Sequence, residues 1–295
     1  MPATDIWSPL HAVAPSGHAV AADGTSISWF EAGGPAGPPL LLIHGAGSDH
    51  TTFRVVGPRF AARRVVYAMD RRGRGASGDG PSYSIEREAE DVAAVVDAIA
   101  GREDGPVDVV GHSYGGRVAL SAAPLAGERL RRLVTYESAP APPGMTFEEP
   151  DLVAELTAAE ARDDRPAILR LFMRQVAGMS EPDLAAFEES PLWPVRVAIA
   201  GTILRELTAD RADGDAAAIG RLGAAVRQPV LQLLGGASAP IFALGTAALD
   251  GALPQGRVVV LPGQRHNAHH ADPDRFVAEI ERFLDGEPSA GAGGR

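Results

Sequence analysis

The chain has 295 residues, 45% hydrophobic and 22% charged, enough to bury a large core as one α/β domain with room for an insertion. It has neither cysteine nor lysine, all 27 formal positive charges being arginine, which excludes disulfides, thiolate nucleophiles, thiolate metal sites, Schiff-base lysines and the P-loop lysine. A net charge of −11 argues against nucleic acid or an anionic membrane as a partner.

In chain order, the opening "MPATDIWSPL" lacks the basic and apolar regions of a secretory signal, and no later apolar run reaches membrane-spanning length, so a cytoplasmic protein is expected. From about residue 25, strand-like and helix-like runs alternate. "TSISWFEAG" reads as a strand, and "PPLLLIHG" and "RRVVYAMD" as short apolar strands of the buried parallel kind. "SIEREAEDVAAVVDAIA" puts Ile85, Ala89, Val92, Val96 and Ile99 on one helical face. "PVDVVGHS" is strand, "YGGRVALSAAPLA" helix and "RLRRLVTYE" strand. From about Phe147 to Val226 no strand pattern occurs, only helical ones such as "RPAILRLFMRQVAGM". "QPVLQLLGG" and "GRVVVLPG" are the last strands, and Asp272-Pro273 opens the last helix as N-cap and first helical residue.

The alternation predicts an α/β fold, a mostly parallel sheet with helices on both faces. Residues 1–146 and 227–286 form the expected core, 147–226 a helical cap over the sheet's C-terminal edge, and 287–295 a flexible tail. There are no internal repeats.

"VVGHSYGG" (109–116) sets Gly111-His112-Ser113-Tyr114-Gly115 between a buried strand and a helix. In a G-x-S-x-G elbow the serine occupies a strained turn that holds its hydroxyl proud of the sheet, and side chains at the flanking glycines would strike backbone. The helix N-terminus beyond favours developing negative charge. With "LLIHGAG" (41–47), "DRRGRGASG" (70–78) and "LPGQRHNAHH" (261–270) following in order, the chain resembles the α/β-hydrolase fold family over nearly its whole length. That resemblance implies an oxyanion hole made by the backbone N–H groups of Ala46 and Tyr114, with His44 beside them at the substrate pocket. It also implies a general base on a late loop, where His266 matches and His269 and His270 are alternatives. A metal site at these three histidines lacks a recognisable ligand spacing. "GRGASG" (73–78) matches a dinucleotide fingerprint by letter, yet no helix opens inside it and no acidic residue ends a following strand. It is expected to frame a pocket wall instead. Phe172, Met173 and Trp193 are further pocket candidates, since such cavities are mainly apolar, although such residues, Phe187 among them, more often form the interior of a cap.

The family's usual position for the triad acid, after the strand "PVLQLL", holds Ala237 and Ser238, and Asp250 lies beyond a predicted helix. Glu137 instead ends the strand after the nucleophile helix, an arrangement similar to that of the haloalkane dehalogenases, which take the acid from this neighbouring strand. The dehalogenase nucleophile is Asp where this chain has Ser113. Glu137 is therefore either the triad acid or a solvated, cap-anchoring residue. The resemblance implies a serine hydrolase of an ester, thioester or lactone of a small apolar molecule, working through Ser113, His266 and Glu137 with no cofactor and no metal, as a monomer or homodimer. C–C hydrolases, acyl transferases, cyclases and cofactor-free haloperoxidases share the fold and triad, and small-molecule receptors form a second class.

Overall fold

The computed structural model describes residues 5–10, 13–34, 37–142, 144–146, 150–210 and 217–287. The expected tail, except Glu287, and the cap's first residues, 147–149, lie outside the described residues. The elements are β1 (Gly17–Val20), β2 (Ser26–Ala32), β3 (Leu40–Ile43), α1 (Gly57–Ala61), β4 (Val66–Met69), α2 (Ile85–Glu103), β5 (Val107–His112), α3 (Tyr114–Ala126) and β6 (Leu130–Tyr136). Then come α4 (Pro150–Glu160), α5 (Arg165–Leu171), α6 (Glu181–Glu188), α7 (Trp193–Ile199), α8 (Ile203–Asp210), α9 (Ala218–Ala225), β7 (Val230–Gly235), α10 (Pro240–Asp250), β8 (Gly256–Leu261), α11 (Ala268–Ala271) and α12 (Pro273–Asp285).

Eight strands form one sheet in the order β1-β2-β4-β3-β5-β6-β7-β8. From β4 to β8 every pairing is parallel. The strand β1, which has no clear alternation in the sequence, pairs antiparallel with β2, and β2 antiparallel with β4. The central strands are apolar on both faces because both faces are covered. Leu41, Ile43, Val107, Val109 and Leu133 point into the cluster under α2 and α3, whereas Leu40, Leu42, Val110, Val134 and Tyr136 point to the cluster under α1 and α12. The chain reverses its direction of travel across the sheet between β3 and β5, so the loops leaving these two adjacent strands diverge and open a crevice at their C-terminal ends.

The helices start where local chemistry dictates. Ser84 Oγ accepts from Arg87 N at 3.2 Å to cap α2, and Asp272 accepts from Arg275 N at 3.3 Å to cap α12. Such caps contribute about 1 kcal/mol each.

Helices α4, α5, α7 and α8 bury an apolar cluster of their own, built on Leu152, Leu156, Ile168, Leu169, Phe172, Ile203, Leu204 and Leu207. The helix α9, expected in the cap, lies elsewhere: Ile219 joins the cluster under α2 and α3, and a side chain at Gly223 would strike Ala252 just after α10. The helical insertion therefore ends before α9. Among the described residues, no helix is long and apolar enough to cross a membrane.

Candidate active site

Ser113 sits at the tip of β5 with φ 53° and ψ −128°, in the left-handed half of backbone space that non-glycine residues rarely occupy. Its N–H donates to the Tyr136 carbonyl at 2.9 Å, so the turn is held by the neighbouring strand. The tight approach of α3 needs glycine. A Cβ at Gly115 would lie 2.2 Å from the His44 carbonyl oxygen and 2.5 Å from that of Ile43, both backbone atoms that cannot swing away. Tyr114 is the first residue of α3, where an N–H has no acceptor within the helix. The half-buried Ala46 lies in the loop after β3 and packs against both the main core and the cluster of the insertion.

Glu137 follows β6 directly, again with positive φ, 49°. Its side chain is fully buried, not solvated. Oε2 accepts from His266 Nδ1 at 2.6 Å, and Oε1 accepts from Gly235 N at 2.7 Å. Gly235 is required there, since a Cβ would lie 2.9 Å from Oε1. With its proton on Nδ1, His266 keeps Nε2 as the basic nitrogen. The His266 ring is further held by Phe242, stacked at 4.9 Å, and its carbonyl accepts from His112 Nε2 at 2.9 Å. Tyr136 Oη donates to the Arg265 carbonyl and accepts from Ala268 N at 3.2 Å, bracketing the histidine in sequence. Among the described residues Ser113 Oγ makes no hydrogen bond.

The other sequence candidates fall differently. His44 does not line a pocket: it is completely buried, Nδ1 donates to the Gly45 carbonyl at 2.9 Å, and Nε2 accepts from Arg71 N at 3.1 Å. It braces the loop after β3 from behind. His269 is buried in α11 against His112, and His270 is next to it. Neither touches Glu137. Phe172 comes within reach of the loop, since a Cβ at Gly47 would lie 3.2 Å from its ring. Met173 and Trp193 pack in the insertion's own interior, Trp193 edge-on to Phe187 at 5.5 Å with Arg170 over its ring. The arginines of the "RRGR" stretch turn inward: Arg71, Arg72 and Arg74 are buried in ion pairs. Ala237 and Ser238 stand beyond Gly235, and Ser238 Oγ is close enough to meet a Cβ on that glycine at 2.5 Å. No local signal marks Phe242, Tyr136 or Gly235 as site residues, because each acts across strands that pair only in the fold. Among the described residues no group of three metal-ligating side chains is arranged to hold an ion.

A strained serine after a central strand, a carboxylate-bound histidine on a late loop and helices inserted after β6 are now joined by a direct match: the family model described as the alpha/beta hydrolase family fits residues 40–279. The chain belongs to that family. It is a hydrolase. An α/β-hydrolase from Sphaerobacter thermophilus has a crystal structure that superposes with a TM-score of 0.76 at 31% identity, over 91% of this chain and 100% of the other. The dihydrolipoyllysine-residue acetyltransferase component of the acetoin cleaving system of Pseudomonas putida is 30% identical over 264 residues, 88% of this chain and 67% of that protein. The N-formylmaleamate deformylase of Pseudomonas putida is 28% identical over 278 residues, 92% of this chain and 97% of that enzyme.

Around this α/β-hydrolase site four histidines are kept neutral: His44, His112, His269 and His270, the last pushed down to about 4 by burial and by Arg54 and Arg196. Burial pushes the pKa of His44, His112 and His269 well below the usual imidazole range, with nearby positive charge acting in the same direction. A depressed folded-state pKa means that below about 6.5 the unfolded chain binds protons that the native chain refuses. Their neutrality costs nothing above that pH, and below it each histidine lowers the stability further as pH falls. Asp91 acts in the opposite sense, since burial raises its carboxyl to about 6. The informative quantity is therefore a difference between variants. His269→Leu should show a shallower loss of denaturation free energy between pH 7 and 5 than the native chain. Parallel curves would mean that His269 is not held neutral.

Proposed function

We propose that this α/β-hydrolase cleaves an ester, thioester or lactone of a small apolar molecule through a Ser113–His266–Glu137 triad and an acyl-enzyme. The observation that carries the reading is the 2.6 Å bond from His266 Nδ1 to a buried Glu137, beside a serine in a strained elbow. Ser113 Oγ attacks the acyl carbon while His266 Nε2 takes its proton. The oxyanion is received by the N–H groups of Ala46 and Tyr114. His266 returns the proton to the leaving group, then activates the water that releases the acid. Glu137 holds the tautomer and stabilises the imidazolium. Each oxyanion donor contributes about 10²–10³ in rate.

The helices from α4 to α8 act in this reading as the cap that selects substrate, because their apolar cluster rests on Ala46 and Gly47 of the oxyanion loop. Trp193→Ala should change the preferred acyl length in a series of p-nitrophenyl esters, with less than about 10-fold effect on the acetate. An unchanged chain-length profile would show that the Trp193 region does not set specificity.

The relative named N-formylmaleamate deformylase favours a second reading, hydrolysis of an acyl–nitrogen bond by the same triad. A screen of p-nitrophenyl esters, thioesters, lactones and N-formyl compounds separates the two readings. Turnover of none of them, with no labelling by a fluorophosphonate, would exclude both.

A further inference from the structure

Glu206 is a completely buried carboxylate on α8, 132 and 135 residues from the arginines it binds. Its Oε1 accepts from Arg71 Nη2 at 2.5 Å and from Arg74 Nη2. The same Arg71 is gripped on its other side by Glu88 of α2, through Nε at 2.6 Å and Nη2 at 2.8 Å, and Arg74 Nη2 reaches Glu88 Oε1 at 3.1 Å. None of the four side chains is more than 1% exposed. Two guanidinium groups and two carboxylates balance only when α8 is seated; without Glu206, two buried cations share one anion. In a low-dielectric interior that imbalance is severe, and it is relieved by movement or by entry of water.

Arg71 is also attached to both arms of the oxyanion hole. Its main-chain N–H holds His44 Nε2 at 3.1 Å, its Nη1 donates to the His44 carbonyl at 3.3 Å, and its guanidinium lies over the Tyr114 ring at 4.7 Å. His44 begins the loop that presents Ala46, and Tyr114 is the other donor. A second tie runs alongside: Arg205, next to Glu206, pairs with Asp79 and covers Tyr83, whose hydroxyl donates to that of Tyr114 at 3.0 Å.

We infer that Glu206 is a positioning residue for the reaction: by fixing Arg71 it sets the oxyanion hole, so that seating of the cap and completion of the hole are one event. The inference rests on the serine-hydrolase reading above. Oxyanion stabilisation belongs to the transition state more than to the bound substrate, so the loss should fall on kcat and leave KM nearly alone.

The test measures kcat and KM for p-nitrophenyl acetate and the affinity of phenylboronic acid, which forms a tetrahedral adduct on a nucleophilic serine. Glu206→Gln should lower kcat and boronate affinity together by about 10- to 100-fold, the upper end being the loss of one donor outright. Arg174→Ala, which removes an exposed ion pair to Glu181 inside the cap, should leave both near the native values. The paired change Arg74→Met with Glu206→Gln restores electroneutrality and keeps the test open if Glu206→Gln alone does not fold. Boronate affinity that stays low in the folded pair supports positioning by Glu206. Recovery in the pair, or a native-like Glu206→Gln, overturns it. A native chain with neither turnover nor boronate binding overturns the serine-hydrolase reading, and this inference with it.

Discussion

Glu137→Gln should lower kcat by about 10²–10⁴-fold while leaving the fold and the site of fluorophosphonate labelling intact. The reason lies in the second oxygen of the carboxylate. Gly235 N–H donates to Oε1 at 2.7 Å and demands an acceptor there, so the glutamine amide oxygen takes that place. The amide NH₂ then faces His266 Nδ1 and can only donate to it. The proton of the imidazole is driven to Nε2, the nitrogen that must accept from Ser113. Unlike a general loss of stability, this defect leaves substrate binding in place, so KM should change little. Ser238 stands beyond Gly235, close to the Glu137 carboxylate, and Ser238→Asp in the Glu137→Gln background should restore part of the rate. A Glu137→Gln enzyme with native kcat would refute the assignment and turn attention to Asp272, which caps α12, or to a serine–histidine pair without an acid.

Ser113→Ala should reduce kcat by about 10⁶-fold and abolish the single fluorophosphonate adduct, since the residual rate would come only from binding and the oxyanion hole. Intact mass followed by peptide mapping reads the adduct directly. The alanine should be tolerated structurally, because the strained turn is held by main-chain contacts: Ser113 N to the Tyr136 carbonyl, and the Gly116 and Arg117 N–H groups to the Ser113 carbonyl. His266→Ala should suppress labelling as well, through loss of the base. Persistence of the adduct in both variants would place the nucleophile elsewhere.

The Gly-His-Ser-Tyr-Gly motif announces its turn locally, because glycine at those positions answers a backbone clash within a few residues. From β3 to β7 burial on both faces writes mostly apolar runs that are equally legible, and β8, half-exposed at the sheet edge, still shows the apolar run Val258–Leu261. The strand β1 leaves no trace in the sequence because it is four residues long, lies at the sheet edge, and has only Ala19 buried. The helix α9 reads as part of the cap because an amphipathic helix looks the same whichever surface it covers. The place of His44 in the loop after β3 suggests a pocket, and only its two hydrogen bonds show that it faces inward.

The amino-acid sequence alone carries the fold class and the strained turn at Ser113, because each depends on local periodicity or short-range backbone sterics; the proposed order of serine, acid and histidine comes only with the resemblance to the α/β-hydrolase fold family. With Ala237 and Ser238 at the family's usual place for the acid, the sequence leaves Glu137 as a candidate that is either the triad acid or a solvated residue. The tertiary structure decided the rest. It brings Glu137 within 2.6 Å of His266, 129 residues away, and sets Phe242 and Gly235 against them. It also turns the arginines of "RRGR" inward to meet Glu88 and Glu206. Ion pairs and hydrogen bonds between distant segments leave no periodic trace, because their partners are selected by strand order and helix docking rather than by spacing along the chain.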